Sequence, residues 1–71
     1  MSKEAKQLAK EIEKEKKKLI RIAKTKGLYE DFGQKEYSKL QDKYMDLYYT
    51  DKDIARLLDN FFDWCINYDG K

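Results

Sequence analysis

Cys65 and 14 carboxylates are the first side chains to weigh for chemistry in this 71-residue chain. The chain has no histidine, so the ordinary general base of neutral pH is missing. Cys65 lies on the apolar face of the third predicted helix, which predicts a buried structural thiol rather than a nucleophile. One cysteine makes no internal disulfide, and without histidine no zinc set can be assembled around it. Asp59 and Asp63 stand four residues apart and read as a solvated acidic helix face. The aliphatic hydroxyls are Ser2, Thr25, Ser38 and Thr50, and Ser2 and Thr50 are explained as helix caps. Gly27 and Gly33 are isolated, and neither is followed by the Gly-Lys-Ser/Thr of a phosphate loop. The expectation is a protein that is not an enzyme, with no cofactor and no metal.

Binding chemistry has better candidates. Lys14, Lys16, Lys17, Lys18, Arg21 and Lys24 put six positive charges into about three helical turns. Such a cluster can sit on nucleic-acid phosphates. Here the charges surround the helix, and Glu13 and Glu15 interrupt them. Arginine, the bidentate reader of bases, occurs only at Arg21 and Arg56. A solvated helix face is the plainer reading. The second candidate is aromatic: the chain holds 6 Tyr, 3 Phe and 1 Trp, more than so small a core encloses. Tyrosine and tryptophan are enriched at the centres of protein interfaces. Tyr29, Tyr48 and Tyr49 fall near the corners between helices and are the candidate partner-binding anchors.

These residues must be positioned by a single small domain. At 71 residues the chain needs a staple, a metal, a partner or very regular helix packing. No apolar run approaches the ~20 residues that span a bilayer. Ser2 to Lys18 lacks the apolar stretch of a secretory signal. The net charge of +2 hides a split. Residues 1–26 hold ten Lys/Arg against four Glu, hence +6, and residues 27–71 hold six basic against ten acidic groups, hence −4.

Periodicity predicts an all-α fold of three helices, about 3–26, 31–48 and 51–68, forming a small helical bundle. Ala5, Leu8, Ala9, Ile12, Leu19, Ile20, Ile22 and Ala23 share one broad face of the first helix. Glu15 and Lys16 interrupt that face, so it is dense only after Lys18. The packed part is therefore expected over about 19–68, with 1–14 a polar helical extension. The first helix is expected to be long and partly overhanging, its N-terminal half frayed or paired with a second copy. Gly27 suits the left-handed position after a helix, with Leu28 folding back onto Ile22 or Ala23. Asp31 with Gln34 fits a capping box for the second helix, and Gly33 leaves room for another segment to approach closely. The second helix presents Tyr37, Leu40, Tyr44, Leu47 and Tyr48. Thr50 is expected to cap the third, with Tyr49 stapled onto Ile54. The apolar face shifts by roughly 80° across Tyr49–Thr50, which argues for two helices and a tight corner there. The third helix is richest in core residues: Ile54, Leu57, Leu58, Phe61, Phe62, Trp64, Cys65 and Tyr68.

The segment GLYEDFGQKE at Gly27–Glu36, followed by Lys39, Leu40, Asp42, Lys43 and Tyr44, resembles a group of small phage and prophage proteins of Gram-positive bacteria. Many of these carry a GLYENFGQ-type segment. Trp64, Cys65, Ile66, Asn67 and Tyr68 are similar to their C-terminal ending. The match covers about residues 19–68, with Asp31 standing where asparagine is expected. The resemblance implies a phage-encoded accessory protein in the cytoplasm of the bacterial host. It transfers no activity and no binding residues.

Three functions follow as expectations. The first is a non-enzymatic protein that binds a host protein and modulates host machinery or defence. The second is a nucleic-acid-binding accessory protein that uses the basic first helix. The third is self-association as a homodimer, with Ala5, Leu8, Ile12, Leu19 and Ile22 near heptad positions and Glu15 breaking the seam. Membrane contact is not expected, because the first helix has no aromatic residues opposite its lysines.

Overall fold

The computed structural model describes residues 1–28 and 30–68. Its elements are α1 (Lys3–Lys26), α2 (Gln34–Tyr48) and α3 (Lys52–Asn67), with no strand among the described residues. They form a small all-α bundle of 37 × 18 × 17 Å. The 24 residues of α1 rise about 36 Å, so this helix alone spans the long axis. α3 packs against both other helices.

Helix α1 is capped by Ser2, whose Oγ accepts from the Ala5 amide at 3.1 Å. Glu4 in its first turn and Lys24 and Lys26 in its last complement the helix dipole. The helix stops at Gly27, whose amide donates to Ala23 O at 3.0 Å. Gly27 has φ 82°, as expected, but ψ is 174° rather than the left-handed helical value. The expected fold-back is therefore not completed, and Leu28 stays 47% exposed.

The first correction concerns residues 1–14, which are not a free extension. Ala5, Leu8 and Ile12 are buried in the same cluster as Leu19, Leu40, Ile54, Leu58 and Phe61. Ser2 Oγ donates to Asp51 Oδ2 at 2.6 Å, which ties the start of α1 to the start of α3. Asp51 in turn caps α3, accepting from the amides of Asp53 at 2.9 Å and Ile54 at 3.4 Å. The long helix overhangs at its other end, where no residue after Leu19 is fully buried. The physical reason lies in Glu15 and Lys16, which only look like breaks in the apolar face. Glu15 pairs with Lys39 at 3.7 Å, and Lys16 lies over the Trp64 ring at 5.4 Å.

Both expected caps move as well. α2 starts at Gln34, not Asp31, and its N-cap is Gly33 with φ 80° and no side-chain cap. The Gln34 amide donates to Asp31 O at 3.0 Å, closing a turn that sinks Phe32 into the core. Only glycine takes that left-handed corner without strain. At the second corner the amides of Thr50 and Asp51 both return to Leu47 O, at 3.2 and 2.8 Å. The corner therefore runs one residue further than expected, and Asp51 caps in place of Thr50. Tyr49 is 85% exposed, so no staple on Ile54 forms.

Candidate functional site

Of the candidate anchors, the two that the structure describes, Tyr48 and Tyr49, come together at the α2–α3 corner. Tyr29 lies outside the described residues. Tyr48 is half-buried and donates its hydroxyl to Asp59 Oδ1 at 2.9 Å, a bond that raises the phenol above its ordinary value. Tyr49 is exposed and meets Tyr48 edge-on, with ring centroids 5.2 Å apart. The two helix corners stand at opposite ends of α2, about 22 Å apart at its rise per residue.

The basic cluster, by contrast, is divided. Lys14, Lys17, Arg21 and Lys24 are exposed. Lys16 is turned onto Trp64, and Lys18 reaches Glu36 at 3.8 Å. Glu11 and Glu15 point at α2. Lys43 and the Tyr44 hydroxyl both donate to Glu11, and Lys39 pairs with Glu15. Burial acts to raise the Glu11 carboxyl, but the bonds from Lys43 and Tyr44 and the charges of Lys43 and Lys39 bring it below its usual value. Tyr44 is pushed up to about 12, by burial first and by Glu11 second. The seam between α1 and α2 is thus ionic where the faces of α3 are apolar.

A concavity lies elsewhere, where the α1–α2 corner meets the end of α3. It is a notch of about 410 Å³. Its floor includes Phe32, Gly33 and Cys65, and Leu28, Tyr37, Phe62 and Ile66 rise around it. Phe32 stacks on Tyr68 at 5.2 Å and lies 6.2 Å from Trp64. Tyr37 holds Phe62 at 5.0 Å. Residues from Gly27–Glu36 and from Trp64–Tyr68 both line this notch. Phe62 is 43% and Ile66 63% exposed, which leaves an apolar rim. Glu30 and Asp31 line the same notch and are exposed.

Chemically the notch is suited to binding. The buried Cys65 thiol is pushed up to about 11, first by burial and then by Glu36, so it stays protonated near neutrality. No group of three or more Asp, Glu or Cys among the described residues could hold a metal ion. No helix among them is long and apolar enough to cross a membrane. Sequence reasoning placed Phe62 on the core face and gave Ile66 no role. The available signal was the width of that face: eight apolar positions on one helix are more than two neighbours can cover.

No family model, no curated protein and no solved structure matches the chain. The fold stands as a three-helix all-α domain on its geometry alone.

Proposed function

We propose that this is a non-enzymatic binding protein that receives a partner protein in the notch between the α1–α2 corner and α3. The observation that carries the reading is the grouping of Leu28, Phe62 and Ile66, large apolar side chains left 47%, 43% and 63% exposed around one concavity. Exposed apolar patches ringed by polar groups mark interaction sites. The partner's chemistry is set by the charge around the notch. Glu30 and Asp31 line it, and the exposed Asp59 and Asp63 run beside Phe62 and Ile66 along α3 at helical spacing. The complementary surface is an apolar side chain flanked by lysine or arginine. The resemblance to small phage proteins supports a host protein as that partner, met in the bacterial cytoplasm.

Affinity capture from host lysate tests this, with tagged wild type beside a Phe62→Ser/Ile66→Ser variant whose helicity is confirmed by circular dichroism. The wild type retains a stoichiometric protein that the variant loses. Equal recovery by both, or no stoichiometric protein with either, contradicts the reading.

A further inference from the structure

A second surface, on α1, goes beyond that reading. Burial of Ala5, Leu8, Ile12 and Leu19 fixes the rotation of the helix about its axis. With that rotation set, Lys3, Lys6, Lys10, Lys14, Lys17, Arg21 and Lys24 fall within an arc of about 80° on the side away from the core. All seven are exposed. Between Lys3 and Lys24 the row runs about 32 Å at 1.5 Å per residue. Two of the four acidic residues of α1, Glu11 and Glu15, are drawn aside by Lys43 and Lys39 on α2. Glu4 lies well outside the arc, and only Glu13 stands at its edge. In the linear sequence the lysines surround the helix, but the folded chain sorts them. Lys16 and Lys18 are taken up by Trp64 and Glu36, and a nearly unbroken basic row remains.

We infer that this row is a phosphate track for double-stranded nucleic acid, bound without regard to sequence. Several features of α1 select that ligand. The helix carries no aromatic residue, so it lacks the platforms on which single-stranded bases stack. Its apolar face is occupied by the core, so it has nothing to insert into a lipid surface. Arg21 is the one arginine in the row, and bidentate base reading relies on arginine. What remains is a line of flexible ammonium groups of roughly the length of one duplex turn.

The test is fluorescence anisotropy of the full chain with a labelled 20-base-pair duplex of arbitrary sequence across a salt series. Neutralising about five phosphates gives a log–log salt slope near −4.5, or a loss of about 500-fold between 50 and 200 mM. Lys6→Gln/Lys10→Gln/Lys17→Gln/Arg21→Gln, at exposed positions, lowers affinity at least tenfold and flattens the slope. Lys16→Gln/Lys18→Gln, off the row, changes affinity by less than about twofold. No binding of wild type at 50 mM salt overturns the inference, as does equal weakening by the two variants with helicity intact. It is also overturned by tighter binding to a 20-nucleotide single strand, or to phosphatidylserine vesicles, than to the duplex.

Discussion

A Cβ built on Gly33 would lie 2.3 Å from the Sγ of Cys65 and 2.8 Å from its Cβ. Real atoms do not approach so closely, so the α1–α2 corner and α3 are in contact only because position 33 has no side chain. Gly33 also holds φ at 80°, a value that strains other residues. Gly33→Ala therefore incurs two penalties, about 1–2 kcal/mol for the backbone and an overlap on top. Cys65→Ala removes the Sγ part of that overlap. A double-mutant cycle in urea should show a coupling of roughly 1 kcal/mol or more between the two sites. Additive effects would mean that the corner opens away from α3 instead.

The buried N-terminal half of α1 gives a sharp second expectation. Leu8 is fully buried. Leu8→Ala should cost about 2–5 kcal/mol, the range for a core leucine, and leave so small a domain barely folded. Were residues 1–14 a solvated extension, the cost would stay within about 0.5 kcal/mol. Chemical denaturation of the two proteins separates the cases.

Much of this was legible in the residues. The phase shift at Tyr49–Thr50 marks the second corner, Gly27 marks the end of α1, and the absence of a side chain at Gly33 foretells a close approach. The apolar face of α3 foretells a buried Cys65, which the structure contains. What was not legible depends on distant partners. Glu15 breaks the apolar row of α1 until Lys39 is seen across from it, 24 residues away in the chain. Asp51 and Thr50 are adjacent residues of similar capping ability, and the choice between them involves Ser2 at the far end of the chain. The notch exists only once Phe32 of the corner and Phe62 and Ile66 of α3 are brought around one concavity, and no local pattern in any one helix announces it.

Stability should peak between about pH 5 and 8.5. On the acid side, Glu11 and Asp51 are both held below their ordinary values. For Asp51 the bond from Ser2 is the leading cause. Depressed carboxylates lend stability above their unfolded values of ~3.9–4.3, and it is lost as pH falls through the folded ones. On the alkaline side Cys65 sits at about 11 and Tyr44 at about 12. Raised acids lend stability below their unfolded values, and it drains away as pH rises from ~8.5 for the thiol and ~10 for the phenol. Thermal melts from pH 3 to 11 should show a plateau with two falling arms, and Cys65→Ala should delay the alkaline one. An unchanged alkaline arm in that variant would place the loss elsewhere.

The same burial governs thiol chemistry. Cys65 should resist iodoacetamide at pH 7 in the native protein and react once urea unfolds it. Alkylation at the rate of a free thiol in the native state would mean that the notch floor opens readily.

The most direct measurement of the proposed function is site-specific photocrosslinking in host cells. A benzophenone side chain replaces Phe62 at the notch in one variant and Tyr49 at the distant corner in another. Binding in the notch predicts one discrete crosslinked host protein from position 62 and none from position 49. Crosslinks from position 49 alone, or none from either position, would contradict it.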